Sequence, residues 1–154
     1  MVNENFLNGS YAMMVDDLEC VWNLSTLIEK SKHIEAEKVS LNQFSLDVWV
    51  WGIDKPQNHI ERVFNCDLSY PILIWDGHVL DGYHRILKAH LLGLDYIMAK
   101  EIINIPPPDE TLEVPRYSIY QSSHPFYLSD LLETMKITRK CLNGYPSRHE
   151  IDGF

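Results

Sequence analysis

A chain of 154 residues, 45% of them hydrophobic, is long enough for one domain with a substantial core, and four Trp, eight Tyr and five Phe exclude a disordered polymer. Its formal charge of −9 opposes nonspecific nucleic-acid binding, which needs a basic face to displace counterions; Arg139-Lys140 is the only adjacent Lys/Arg pair. Cys20, Cys66 and Cys141 stand in no metal spacing and read as thiols of a reducing cytoplasm, and no apolar run approaches the roughly 20 residues of a membrane span.

The opening MVNENFLNGS has neither a basic region nor an apolar core, so no signal peptide and a cytoplasmic location are expected. Residues 1–15 read as a loosely held arm with Tyr11, Met13 and Met14 as docking points. Asp16 or Asp17 is placed to cap a helix running to about Lys32, with Leu18, Val21, Trp22 and Ser25 spaced for one face. Ile34–Lys38 is a charged connection, and Val39–Phe44 alternates as the first strand. Leu46–Trp51 is apolar on both sides and fits either a buried strand or a short turn of helix; Trp49 and Trp51 are assigned to packing. After a turn at Gly52–Pro56, Asn58 and Glu61 form a capping arrangement for a helix over about His59–Cys66. Ile60, Val63 and Phe64 are its inward face, and His59 is assigned no chemistry.

Pro71–Gly93, PILIWDGHVLDGYHRILKAHLLG, is the most structured stretch. A short apolar run ends at Asp76-Gly77, the dipeptide of a two-residue primed hairpin, and His78–Asp81 returns. Gly82 leaves the strand, and a helix follows with Ile86, Leu87, His90 and Leu91 as its buried stripe and Gly93 at its left-handed C′ position. Tyr96–Ile103 reads as another strand and Ile105–Pro108 as an extended bridge. Leu112–Tyr120 fits an edge strand interrupted at Pro115. A helix over Phe126–Leu142, with Ser129 as its cap, ends at Asn143-Gly144 before a polar tail.

The polar residues of the central unit gather at a helix start: Asp81, Gly82, His84 and Arg85. The first amides of a helix lack intrahelical partners and carry the positive end of its dipole, so they attract anions. Gly82 admits a phosphate close to the backbone, and His84 and Arg85 add donors. Asp81 is placed either to hold a divalent cation or to fix Arg85, and Lys88 lies one turn beyond His84, near the phosphate or in water. Against this stands the reading of a well-capped helix with an Asp–Arg ion pair. The seven histidines form no metal motif: His78, His84 and His90 recur at six-residue steps that neither a helix nor a hairpin converges on one ion.

Asp81-Gly82-x-His84-Arg85, after a hairpin and before a helix ending Leu-Gly, resembles the ParB/sulfiredoxin-like superfamily, and its spelling resembles the ATP- or ADP-using ParB-like kinases. The resemblance implies a small α+β fold, a mixed sheet with packed helices. Its core would span about residues 38–104 of a single domain, with an N-terminal helix and a C-terminal helical extension packed on it. It implies a nucleotide partner, ATP or another nucleoside triphosphate with Mg²⁺, whose phosphate is hydrolysed or passed to a small-molecule acceptor. The phosphate chain would lie on the amides from Tyr83 onward and on His84, Arg85 and Lys88, with Asp81 as metal ligand and Asp81 and His84 as catalytic candidates. Sulfiredoxin proper has its catalytic cysteine where this chain has Tyr83, so sulfinic-acid reduction is not expected. The ATP-using members place a catalytic glutamate near the first strand, where Glu35 and Glu37 lie, and neither is matched to it. The alternatives are a non-catalytic nucleotide-sensing or DNA- or protein-binding module, and a ParB-like nuclease. The C-terminal part is too short for an ordinary DNA-reading helical domain.

Overall fold

The computed structural model of the chain describes residues 10–50, 56–113 and 126–143. Trp51 and the turn after it, the strand expected beyond Glu113 and the polar tail lie outside these residues. The architecture is α+β, as expected. Its elements are β1 (Ser10–Val15), β2 (Leu18–Asn23), α1 (Leu24–Ser31), β3 (Glu37–Ser40), β4 (Trp49–Val50), α2 (Pro56–Asn65), β5 (Ile72–Trp75), β6 (His78–Asp81), α3 (Tyr83–Leu91), β7 (Tyr96–Glu101), β8 (Glu110–Leu112), β9 (Phe126–Tyr127) and α4 (Leu128–Asn143).

Residues 1–9 of the expected arm lie outside the described residues; residues 10–15 and the expected long N-terminal helix take a different form. Residues 10–23 form an antiparallel hairpin, Tyr11 opposite Trp22 and Val15 opposite Leu18, and only Leu24–Ser31 is helical. Leu18, Val21, Trp22 and Ser25 fit helical spacing, but Tyr11, Val15, Val21 and Trp22 are β-formers that gain a partner strand. The aspartates expected to cap a helix make the turn instead, Asp16 adopting φ 54°. The strand expected at Val39–Phe44 also shifts: β3 ends at Ser40, and Leu41–Gln43 is a single 3₁₀ turn. The second helix begins three residues earlier than expected, at Pro56, a residue suited to the first helical position because its missing N–H has no intrahelical partner there.

The central sheet has the order β3-β7-β5-β6. β5 runs parallel to β7 and antiparallel to β6. The β5–β6 hairpin turns at Asp76 and Gly77, whose φ values of 46° and 79° are those of a primed two-residue turn. Alternation sends Ile72, Ile74 and Val79 to one face, where Ile86 and Ala89 of α3 cover them. Leu73 and Leu80 go to the other face, against Tyr11, Trp22 and Leu27 of the N-terminal hairpin and α1. A third cluster joins the helices: Val63 of α2, Leu87 and Leu91 of α3, and Leu128, Leu131 and Met135 of α4. The proline run is the expected bridge, since Trp22 Nε1 donates to the Pro106 carbonyl at 2.6 Å and Asp109 N–H to the Val21 carbonyl.

One irregularity positions the candidate site. Leu73 pairs with Asp81 but Ile74 pairs with Val79, so Leu80 is an extra residue in β6. Strict alternation would place Asp81 on the α3 side with Val79. The bulge returns it to the face of Leu73, which also pairs with Lys100 of β7. Lys100, Leu73 and Asp81 therefore form a row across the sheet, beneath α1.

Candidate functional site

That row floors a cleft of about 370 Å³ between α1 and the central sheet. Ile28, Glu29, Ser31 and Lys32 form one wall, and Tyr70, Pro71 and Arg85 close the other side. Arg85 is fixed by three bonds: to Asp81 Oδ2 at 2.8 Å and to the carbonyls of Tyr70 and Pro71 at 3.1 and 2.9 Å. Of the two roles open to Asp81, the structure gives the second, holding the arginine. With both side chains largely buried, this charge-assisted pair is strongly oriented. Glu29 pairs with Lys32 at 3.6 Å. Lys100 faces no carboxylate among the described residues, its nearest partner being the Ser31 carbonyl at 3.5 Å. The cleft thus offers a cation over an apolar floor, with the ring of Tyr70, 66% exposed, at its rim.

The Asp81–Arg85 motif divides between two sides of α3. Asp81 and Arg85 face the cleft, whereas His84 and Lys88 lie on the α2 side. His84 Nε2 stands 3.2 Å from Nδ1 of His59, a fully buried residue of α2, and the two rings stack with centroids 5.4 Å apart. Arg62 NH1 approaches the same Nδ1 at 3.4 Å. A guanidinium can only donate, so His59 Nδ1 is the acceptor in that contact. His59, to which the sequence assigned no chemistry, is the partner of a candidate catalytic residue.

Lys88 faces neither the cleft nor water. It is 4% exposed, and its ammonium donates to the carbonyls of Phe64 and Cys66 at 3.2 and 2.7 Å, satisfying the C-terminal end of α2. Burial pushes the Cys66 thiol up, against the lowering effect of Lys88 and Arg85. Tyr83 is a packing residue between the α3 face of the sheet and the helical cluster, its phenol pushed up to about 12 by burial.

Gly82 has a structural reason of its own. Its φ is 125°, and a Cβ there would meet the Ile72 side chain, at 2.7 Å from Ile72 Cβ. The space that glycine leaves is filled by β5. No side chain caps α3 at Gly82. The donor set does not make a resident magnesium site: among the described residues no group of three His, Cys, Asp or Glu side chains converges, and Asp81 is engaged by Arg85. No helix among the described residues is long and apolar enough to cross a membrane.

Lys32, Tyr70 and Lys100 escaped the sequence reading because α1, the β5 approach and β7 meet only in the fold. Alternation along β7 carried a signal, since Tyr96, Met98 and Lys100 share one face of a strand whose other face is Ile97 and Ala99. Comparison with protein-family models, curated proteins and solved structures found no match.

Proposed function

We propose that the protein binds a nucleotide by its phosphate chain in the cleft at the head of α3, as a ParB/sulfiredoxin-like module whose chemistry is hydrolysis or transfer of a phosphate. The observation that carries this reading is the Lys100–Leu73–Asp81 row, with Arg85 held by Asp81, beneath a wall that includes Lys32. A phosphate entering here meets Lys100 without displacing a carboxylate from it. Arg85 stands ready to exchange part of its hold on Asp81 for an anionic oxygen. Tyr70 and Ile28, both exposed at the rim, supply a surface for a flat base. Any Mg²⁺ would arrive on the nucleotide's own phosphates.

A second reading, binding without turnover, is favoured by the Asp81–Arg85 pair itself: a carboxylate oxygen already engaged at 2.8 Å by a guanidinium is a poor metal ligand. Isothermal titration with ATP, ADP and CTP, with and without Mg²⁺, tests the shared claim. Arg85→Ala alone does not decide it, because the same guanidinium braces Tyr70 and Pro71. Lys100→Ala is the discriminating variant, expected to weaken binding by roughly tenfold, the effect of one charge-assisted contact. Lys88→Ala is expected to lower stability while leaving affinity unchanged. Affinity lost on Lys88→Ala but kept on Lys100→Ala would place the phosphate elsewhere. Phosphate release by the parent separates turnover from binding alone.

A further inference from the structure

The face of the central sheet that floors the cleft continues past α1 into the open. Tyr96 and Met98 stand on it beside Lys100, and the register pairs Met98 with Lys38 of β3. Lys38 Nζ lies 5.5 Å from the centre of the Tyr96 ring. Leu68 and Leu94 join them around a second depression of about 220 Å³. Tyr96 is 55% exposed, and Tyr70 stands at the rim of the neighbouring cleft. From Tyr96 to Lys100 the strand advances about 13 Å, at roughly 3.3 Å per residue, enough for a few nucleotides.

Charge is segregated onto this face. The two depressions are lined by Lys32, Lys38, Arg85 and Lys100 against Glu29 and Asp81, four of the chain's 13 basic residues and two of its 22 acidic ones. Both carboxylates are already paired, Glu29 with Lys32 and Asp81 with Arg85. Lys38 and Lys100 have no carboxylate partner among the described residues, so a chain of net charge −9 keeps a locally cationic strip with two exposed tyrosines along it. Exposed aromatic rings between lysines on an open sheet suit unpaired bases joined by phosphates: the rings stack on any base and the ammoniums follow the backbone. A protein partner would find lysines where interfaces are ordinarily depleted of them.

We propose that the cleft and this open sheet face form one track for a short single-stranded nucleic acid, bases on Tyr70 and Tyr96 and phosphates on Lys38 and Lys100. The proposal rests on the reading of the cleft as a phosphate site and extends it along β7. The test is fluorescence anisotropy with a labelled oligothymidylate about 12 nucleotides long, beside titration with ADP, on the parent, Tyr96→Ala and Lys38→Glu. Both substitutions fall on exposed positions outside the cleft, and circular dichroism checks the fold. The expected result is that the oligonucleotide binds more tightly than ADP, with a salt-dependent affinity that each substitution weakens by roughly fivefold or more while ADP binding is unchanged. ADP binding with no added affinity for the oligonucleotide overturns the track and leaves the cleft reading standing. Binding of neither overturns both. A parent that is dimeric by light scattering, becomes monomeric as Tyr96→Glu and ignores the oligonucleotide shows that a second copy covers the face instead, and also overturns the track.

Discussion

Gly82 shows how one residue can serve the fold while resembling a ligand site. A glycine before a helix whose first amides no side chain caps reads as an opening for phosphate, and the helix is where that reading put it. The glycine itself is required by Ile72 and by a φ of 125°, neither visible in the sequence. Gly82→Ala therefore combines backbone strain with a clash against a buried strand. It is expected to destabilise the protein by about 3 kcal/mol, measured by urea unfolding. His84 and Lys88 carry the same lesson. Their types and spacing fit a phosphate cradle, yet His59 and the end of α2, 25 and 22 residues away in sequence, claim them. Donors were legible; their partners were not, because partners are set by packing.

At the scale of elements, what was local was legible. The Asp76-Gly77 turn, the β5–β6 hairpin, α3 and the Gly93 terminus all lie within one short stretch whose signals agree with one another. The N-terminal hairpin was misread because its pairing competes with a genuine helical spacing, and only strand β8 and the packed sheet decide the matter. The tether at the start of α1 is also distant: Asp109 accepts from Asn23 N–H at 2.8 Å and from Thr26 Oγ1 at 3.1 Å, 86 and 83 residues away. Asp109→Ala is expected to cost about 1 kcal/mol by chemical denaturation, the ordinary net value of a hydrogen bond. The α3–α4 contact makes a pH prediction. Burial, reinforced by Lys136, lowers His90 from its usual 6.5, and its Nε2 has no hydrogen-bond partner among the described residues. The unfolded chain takes up a proton more readily there than the folded one. The contribution of His90 is thus full above 6.5 and lost as pH falls below it. His90→Phe should flatten that part of the pH–stability curve.

For the whole molecule, the arrangement matters more than the composition. A net charge of −9 argues against nonspecific nucleic-acid binding, and summed over the surface it does. The fold nevertheless collects Lys32, Arg85 and Lys100, spread from residue 32 to residue 100, around one cleft, and no sequence window could show that grouping. The bulge at Leu80 is equally decisive, since it turns Asp81 away from α3 and toward α1. The most direct test of the nucleotide site is a two-dimensional amide NMR titration of the intact protein with ADP and Mg²⁺. Saturable shifts concentrated at Tyr83–Arg85, Leu73, Lys100 and Ser31–Lys32 are the predicted result. Unperturbed amides there, or shifts confined to the opposite edge around Glu35 and Glu37, would contradict it.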